Sequence, residues 1–135
     1  MNREILFRGK RCSDGKWVYG FYVESKYSWQ GHKPHKSWIV SDAISNGGFF
    51  NILGRYAVKD DTVGEFTGMR DMHGRKIFEG DIMRTNGCEG FFEVIYDAPD
   101  FYLKKNSSGY RFLNHPEKFE VIGNINDNIE LLAAK

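Results

Sequence analysis

The stretch from Gly64 to Arg84, GEFTGMRDMHGRKIFEGDIMR, gathers four carboxylates, Glu65, Asp71, Glu79 and Asp81, around one histidine, His73. Carboxylates this close in sequence could serve as a general acid and base acting on a sugar or a phosphate. The same residue types have a second use. Short acidic side chains beside glycine accept backbone N–H groups and shape turns, and a charged residue alternating with Phe or Ile is the wet face of a strand. That second use accounts for the whole segment. Thr62 to Met69 reads as a strand, and Asp71-Met72-His73-Gly74 as a type I turn with Gly74 at positive φ. Lys76 to Phe78 packs back, Glu79-Gly80-Asp81 reverses the chain again, and Ile82 starts the next strand. Phe66, Phe78 and Ile82 are the apolar anchors, and Asp81 is expected to order the second reversal rather than to move protons.

Other chemistry finds less support. His32 and His35 lie three residues apart, but a metal site there needs further ligands from elsewhere, such as Cys12, Asp14 or Asp42. His73 reads as a turn residue, and His115, before Pro116, as a loop residue. Cys12 and Cys88 are the only cysteines. With no CxxC spacing and no dense cysteine framework they read as two free thiols. No Gly-x-Ser-x-Gly elbow is present, and Gly47-Gly48 and Gly87-Cys-Glu-Gly90 lack the lysine and following helix of a phosphate loop. The expectation is therefore no catalytic residue, no metal and no cofactor.

A pattern of cations and rings occupies the first half. Arg8, Lys10, Arg11, Lys16, Lys26, Lys33, Lys36 and Arg55 are interleaved with Trp17, Tyr19, Tyr22, Tyr27, Trp29 and Trp38. Single-stranded nucleic acid is held by this pairing, cations along its backbone and rings under its bases, at about 1–3 kcal/mol per stacked base. The plainer reading puts Trp17, Tyr19 and Trp38 in the core and leaves the lysines as protection for strand edges. Tyr27, Trp29, His32, Lys33 and Lys36 belong to a loop and are harder to bury. With Arg11 and Lys16 they form the candidate contact surface for a protein or a nucleic acid.

The elements that must position these residues are short and β-rich. In Lys16 to Glu24, Trp17, Tyr19, Phe21 and Val23 alternate with Val18, Gly20 and Tyr22, so both faces are largely apolar, as suits a central strand. Ser13-Asp14-Gly15 is turn chemistry, pairing Glu4 to Gly9 with Lys16 to Glu24 as a hairpin. Further strands are expected at Ser37 to Val40, Phe49 to Val58, Ile82 to Asn86, Phe91 to Asp97, Phe101 to Lys105 and Phe119 to Ile125. Helix is confined to a turn near the C-terminus, with Asn126 or Asp127 as cap and Ile129 and Leu132 pointing inward.

Aromatic residues are 16% of the 135, enough large rings to build a core and exclude disorder. No apolar run approaches the roughly 20 residues that span a bilayer, and the charged N-terminus does not read as a signal peptide, so a soluble cytoplasmic protein is expected. The net charge of +1 lacks the basic excess of many nucleic-acid binders. It hides a split: residues 1–59 hold ten basic and four acidic side chains, net +6, and residues 60–135 nine and fourteen, net −5. Opposed charges of this kind could steer a polyanion, bring copies together head to tail, or neutralise each other internally.

The succession GEFTGMRDMHGRKIFEGDI, followed by FEVIGNINDNIELL and preceded by EILFRGK and GKWVYGFYV, resembles the YopX-like proteins of phage and prophage genomes. The likeness spans nearly the whole chain. It implies a β-rich fold whose C-terminal part is a small SH3-like barrel, and it carries over no catalytic residue. Together these readings give an all-β protein with an N-terminal antiparallel unit over residues 1–60, an SH3-like barrel over residues 61–135 and a short C-terminal helical turn. The expected role is non-catalytic binding, first as a homo-oligomer or with another protein. Single-stranded nucleic acid is the alternative, an enzyme acting on a small polar substrate the second alternative, and no membrane partner is expected.

Overall fold

The structure, a computed structural model, describes residues 3–25, 36–43, 52–105 and 109–133. The chain is all-β, with antiparallel strands and one short helix among the described residues. Backbone contacts gather it into two units, Asn2–Glu65 and Phe66–Lys135. Among the described residues no helix is long and apolar enough to cross a membrane.

The N-terminal unit is an antiparallel meander of β1 (Phe7–Lys10), β2 (Trp17–Glu24), β3 (Ser37–Ala43) and β4 (Ile52–Ala57). The turn between β1 and β2 uses the expected chemistry. Gly15 sits at φ 72° and donates its N–H to Arg11 O at 2.8 Å, while Asp14 Oδ1 accepts the Lys16 N–H at 3.0 Å. Just past β1 the chain returns to the end of β4. Arg11 bridges Val58, Cys12 N donates to Ala57 O at 2.9 Å, and Lys59 N donates to Lys10 O at 2.9 Å. The far end of β4 is thereby tied back to the end of β1, while β4 stays an edge of the sheet over the rest of its length.

Register sorts the side chains into an inner and an outer face, because directly opposed residues in an antiparallel pair point the same way. Phe7, Val18, Tyr22, Ser37, Ile39 and Tyr56 share the inner face. Ile39, Ser37 and the adjoining Val58 are buried there. The Ser37 hydroxyl is satisfied by Tyr22 Oη at 3.2 Å, and the Phe7 and Tyr22 rings lie 5.7 Å apart. Gly20 is also on this face, and a Cβ at that position would fall on the carbonyl oxygen of Val40, well inside van der Waals distance. The close packing of β2 on β3 thus requires glycine at position 20.

Asp60–Thr62 is a 3-10 turn, so the strand expected from Thr62 starts later, as β5 at Gly64–Arg70. Thr62 does a different job. Its hydroxyl donates to Lys59 O at 2.6 Å and accepts the Lys10 N–H at 2.9 Å, which its neighbours in the turn cannot do. Gly64 and Glu65 pair with Arg8 and Phe7 of β1, and the remainder of β5 pairs with β6 (Lys76–Phe78).

In the C-terminal unit β7 (Asp81–Thr85), β8 (Phe92–Asp97), β9 (Asp100–Lys104), β10 (Tyr110–Phe112) and β11 (Phe119–Asn124) form a sheet in the order β10-β9-β8-β7-β11. The SH3-like barrel that the resemblance implies goes further than these pairings, which leave β10 and β11 as the two edges. Its core is Ile77, Met83, Phe92, Val94, Leu103, Leu113 and Phe119, each burial contributing about 1.5–3 kcal/mol. Phe92 and Val94 alternate with half-buried Glu93 and Ile95, whereas Asp81, Ile82 and Met83 are buried in succession, so β7 is covered on both faces. The helix, α1, is Glu130–Ala133. Ile129 is 58% exposed, contrary to the inward position expected from i, i+3 spacing, because it precedes the helix. Asn124 Oδ1, rather than a side chain of Asn126 or Asp127, accepts the N–H groups of both of those residues.

Candidate functional site

The carboxylate-rich segment is built as two fastened turns. Asp71 is buried, and its Oδ1 accepts the N–H groups of His73 and Arg75, each at 2.9 Å, while Oδ2 accepts the N–H of Val121 in β11, also at 2.9 Å. Burial alone would push this carboxyl up. The N–H groups of Val121, Arg75 and His73, with the His73 side chain nearby, outweigh that and hold it below the ordinary aspartate value. Gly74, at φ 79°, donates to Asp71 O at 3.0 Å, and Met72 N donates to Phe119 O at 2.9 Å. The second turn repeats the device. Asp81, 2% exposed, accepts the Phe78 N–H through Oδ2 at 2.8 Å. Gly80, at φ 90°, donates to Val94 O and accepts from Ile125 N. Phe66, Phe78 and Ile82 are all buried, and the two phenyl rings stand 5.6 Å apart. These carboxylates bend and fasten the chain, and among the described residues no group of three or more His, Cys, Asp or Glu is placed to hold a metal ion.

The exposed chemistry lies instead on the outer face of the N-terminal unit. Register puts Arg8 and Lys10 of β1, Trp17, Tyr19, Phe21 and Val23 of β2, Trp38 and Val40 of β3, and Arg55 and Ala57 of β4 on that face. The core reading of these rings fails. Tyr19 is 46% exposed, Phe21 59% and Val23 46%, and Trp17 and Trp38 are only half-buried. β2 is central, as its pattern requires, but its outer face is covered only in part, chiefly where Arg8, itself buried, lies over Trp17. Cations crowd one end of the row. The Arg8 guanidinium stands 4.6 Å from the Trp17 ring centre, and Lys10 Nζ 5.5 Å from it. At the other end Arg55, exposed, lines a hollow of about 290 Å³ with Val23, Ser25, Trp38 and Val40. Arg55 also lines a second hollow of about 390 Å³ with Arg11, Cys12, Ser13, Tyr56 and Ala57.

Of the residues singled out by sequence, Tyr27, Trp29, His32 and Lys33 lie outside the described residues, as does His35. Arg11 is half-buried, with its guanidinium 4.9 Å from the Tyr56 ring centre and Nη2 3.1 Å from Asp14 Oδ2. Lys16 is exposed beside the start of β2. Lys36, exposed at the start of β3, faces Glu24 at 3.8 Å. Arg11, Arg55, Lys36 and the rings of β2 are thus all carried by the same unit. Phe21 was absent from the cation and ring pattern, although its two-residue spacing from Tyr19 was the available signal.

A family model described as YopX protein matches residues 6–133. The chain belongs to the YopX family. Two of the segments that resemble the family, GEFTGMRDMHGRKIFEGDI and FEVIGNINDNIELL, are the ones tied together through Asp71 and Gly80, so in this YopX-family chain that part of the signature is accounted for by architecture. Among solved structures, the crystal structure of protein EF1440 from Enterococcus faecalis is similar in fold, with a TM-score of 0.52, 18% identity, and 97% of this chain and 99% of that chain covered. No curated protein sequence matches the chain.

Proposed function

We propose that this YopX-family protein is a non-catalytic binding module whose working surface is the outer face of its N-terminal sheet. The observation that carries the reading is the row Tyr19, Phe21 and Val23, about half exposed on a central strand. Scattered exposed rings need no explanation, but adjacent ones on one strand form a contiguous apolar patch of the kind found at contact surfaces.

The test compares wild type with the double variant Tyr19→Ser/Phe21→Ser. Melting temperature is measured beside two kinds of association, sedimentation of the protein alone and capture of a labelled single strand. The variant is expected to melt within a few degrees of wild type and to lose whichever association wild type shows. A large drop in melting temperature would mean that the rings are core. A wild type that neither self-associates nor captures the strand, or a variant that keeps both properties, refutes the surface.

A further inference from the structure

We infer that the ligand of this face is single-stranded nucleic acid, an inference that rests on the reading of the outer face as the working surface. Three features of the face point the same way.

The first is ring spacing. Tyr19 and Phe21 stand two residues apart on one strand, about 6.7 Å along it. A stretched single strand separates consecutive bases by a similar distance, so each ring can take one base face. Tyr19, 46% exposed, and Phe21, 59% exposed, are the rings of the row that show the most surface to solvent, and they make the platform.

The second is charge. Residues 1–59 carry net +6, and cations flank the row, Lys10 opposite Trp17 at one end and Arg55 beside Trp38 and Val23 at the other, with Lys36 close by and facing Glu24. A polyanion laid along β2 therefore meets cations before and after the rings.

The third is the pair of hollows sharing Arg55. The one with Trp38, Val23 and Val40 has the apolar lining and the size for a single base. The other adds Arg11, whose guanidinium also meets Asp14 at 3.1 Å, and Ser13, residue types that can donate to a phosphodiester. Arg55 thus stands where a base and its neighbouring phosphate part company. Rings and a base-sized hollow are useless on a duplex, whose bases are paired and stacked, so the inference is specific to unpaired strands.

Fluorescence anisotropy with a labelled oligothymidine, and with a duplex of the same length, tests the inference across a series of salt concentrations. Single strand is expected to bind, with duplex a poor competitor. Phe21→Thr should weaken binding by about 5- to 150-fold, the equivalent of one stacked base, without changing the salt slope. Arg55→Ala should instead lower the slope of log K against log salt by about 0.7, one phosphate on a single strand. Both variants should keep the wild-type melting temperature. Equal binding of duplex and single strand, or an unchanged affinity in Phe21→Thr, overturns the inference. Sedimentation separates the two readings. A wild type that ignores the strand yet self-associates through Tyr19 and Phe21 removes the nucleic acid and leaves the surface standing, whereas one that does neither removes both.

Discussion

Replacing Asp71 with asparagine changes one atom in a buried turn and should unfasten it from β11. In the wild type three backbone N–H groups converge on this carboxylate, two on Oδ1 and that of Val121 on Oδ2, all at 2.9 Å. Asparagine can keep its oxygen on His73 and Arg75, but its NH2 then faces the Val121 N–H, donor against donor. The loss is one charge-assisted bond, about 1.5–3 kcal/mol, together with part of the penalty for a stranded buried donor, so roughly 3 kcal/mol in all. For a unit of this size 1 kcal/mol moves the midpoint by about 4–8 °C, so a drop of at least about 12 °C is expected in a thermal melt at neutral pH. The acid limb supplies a second readout. Because Asp71 titrates lower in the folded than in the unfolded chain, its stabilisation is complete above the ordinary aspartate range and is lost as pH falls through the folded value. The asparagine variant lacks that slope. Glu93 works in the opposite sense. Burial raises its carboxyl, with Lys104 partly offsetting, so its contribution is complete below the unfolded value and fades as pH rises through the folded one. Glu93 is common to both proteins and cancels in the difference between their profiles. An asparagine variant with the wild-type midpoint and the wild-type acid limb would refute the structural role of Asp71.

Gly20→Ala should cost more than the 1–3 kcal/mol usual for overpacking, because the added methyl meets the backbone carbonyl of Val40, which cannot swing away as a side chain could; a soluble variant with an unchanged melt would contradict the register of β2 on β3. Leu103→Ala, at a fully buried core position, should lower stability by about 2–5 kcal/mol in denaturant titration, and a loss below 1 kcal/mol would show that the C-terminal core is elsewhere.

Much of the fold was legible because turn chemistry is local. Asp14-Gly15 and Asp71 to Gly74 announced their reversals, since a positive φ and an acceptor beside it leave few alternatives. The strands followed from two-residue alternation, apart from β10, whose three residues are too short to show a period. What alternation could not say was which face of β2 is packed. Both of its sides are largely apolar, and the choice shows in the close approach of Gly20 to Val40, which lies in the register between strands and not in either strand alone. The site was legible in part for the same reason. Cations and rings were visible as a mixture, but their division into an inner ring pair, Phe7 and Tyr22, and an outer row headed by Tyr19 and Phe21 depends on pairing. The return of Arg11 to Val58 is a contact across more than forty positions, and nothing local encodes it.

The fastening of Asp71 to Val121 also sets an order of events during biosynthesis. The strands of the N-terminal meander and the ties between its two ends all lie within the first sixty-five residues, so that unit has these partners while the ribosome is still making the rest. The signature turns do not. They emerge early, yet Asp71 Oδ2 and the Gly80 carbonyl wait for Val121 and Ile125, so the turns are completed only once β11 and the residue after it have been made.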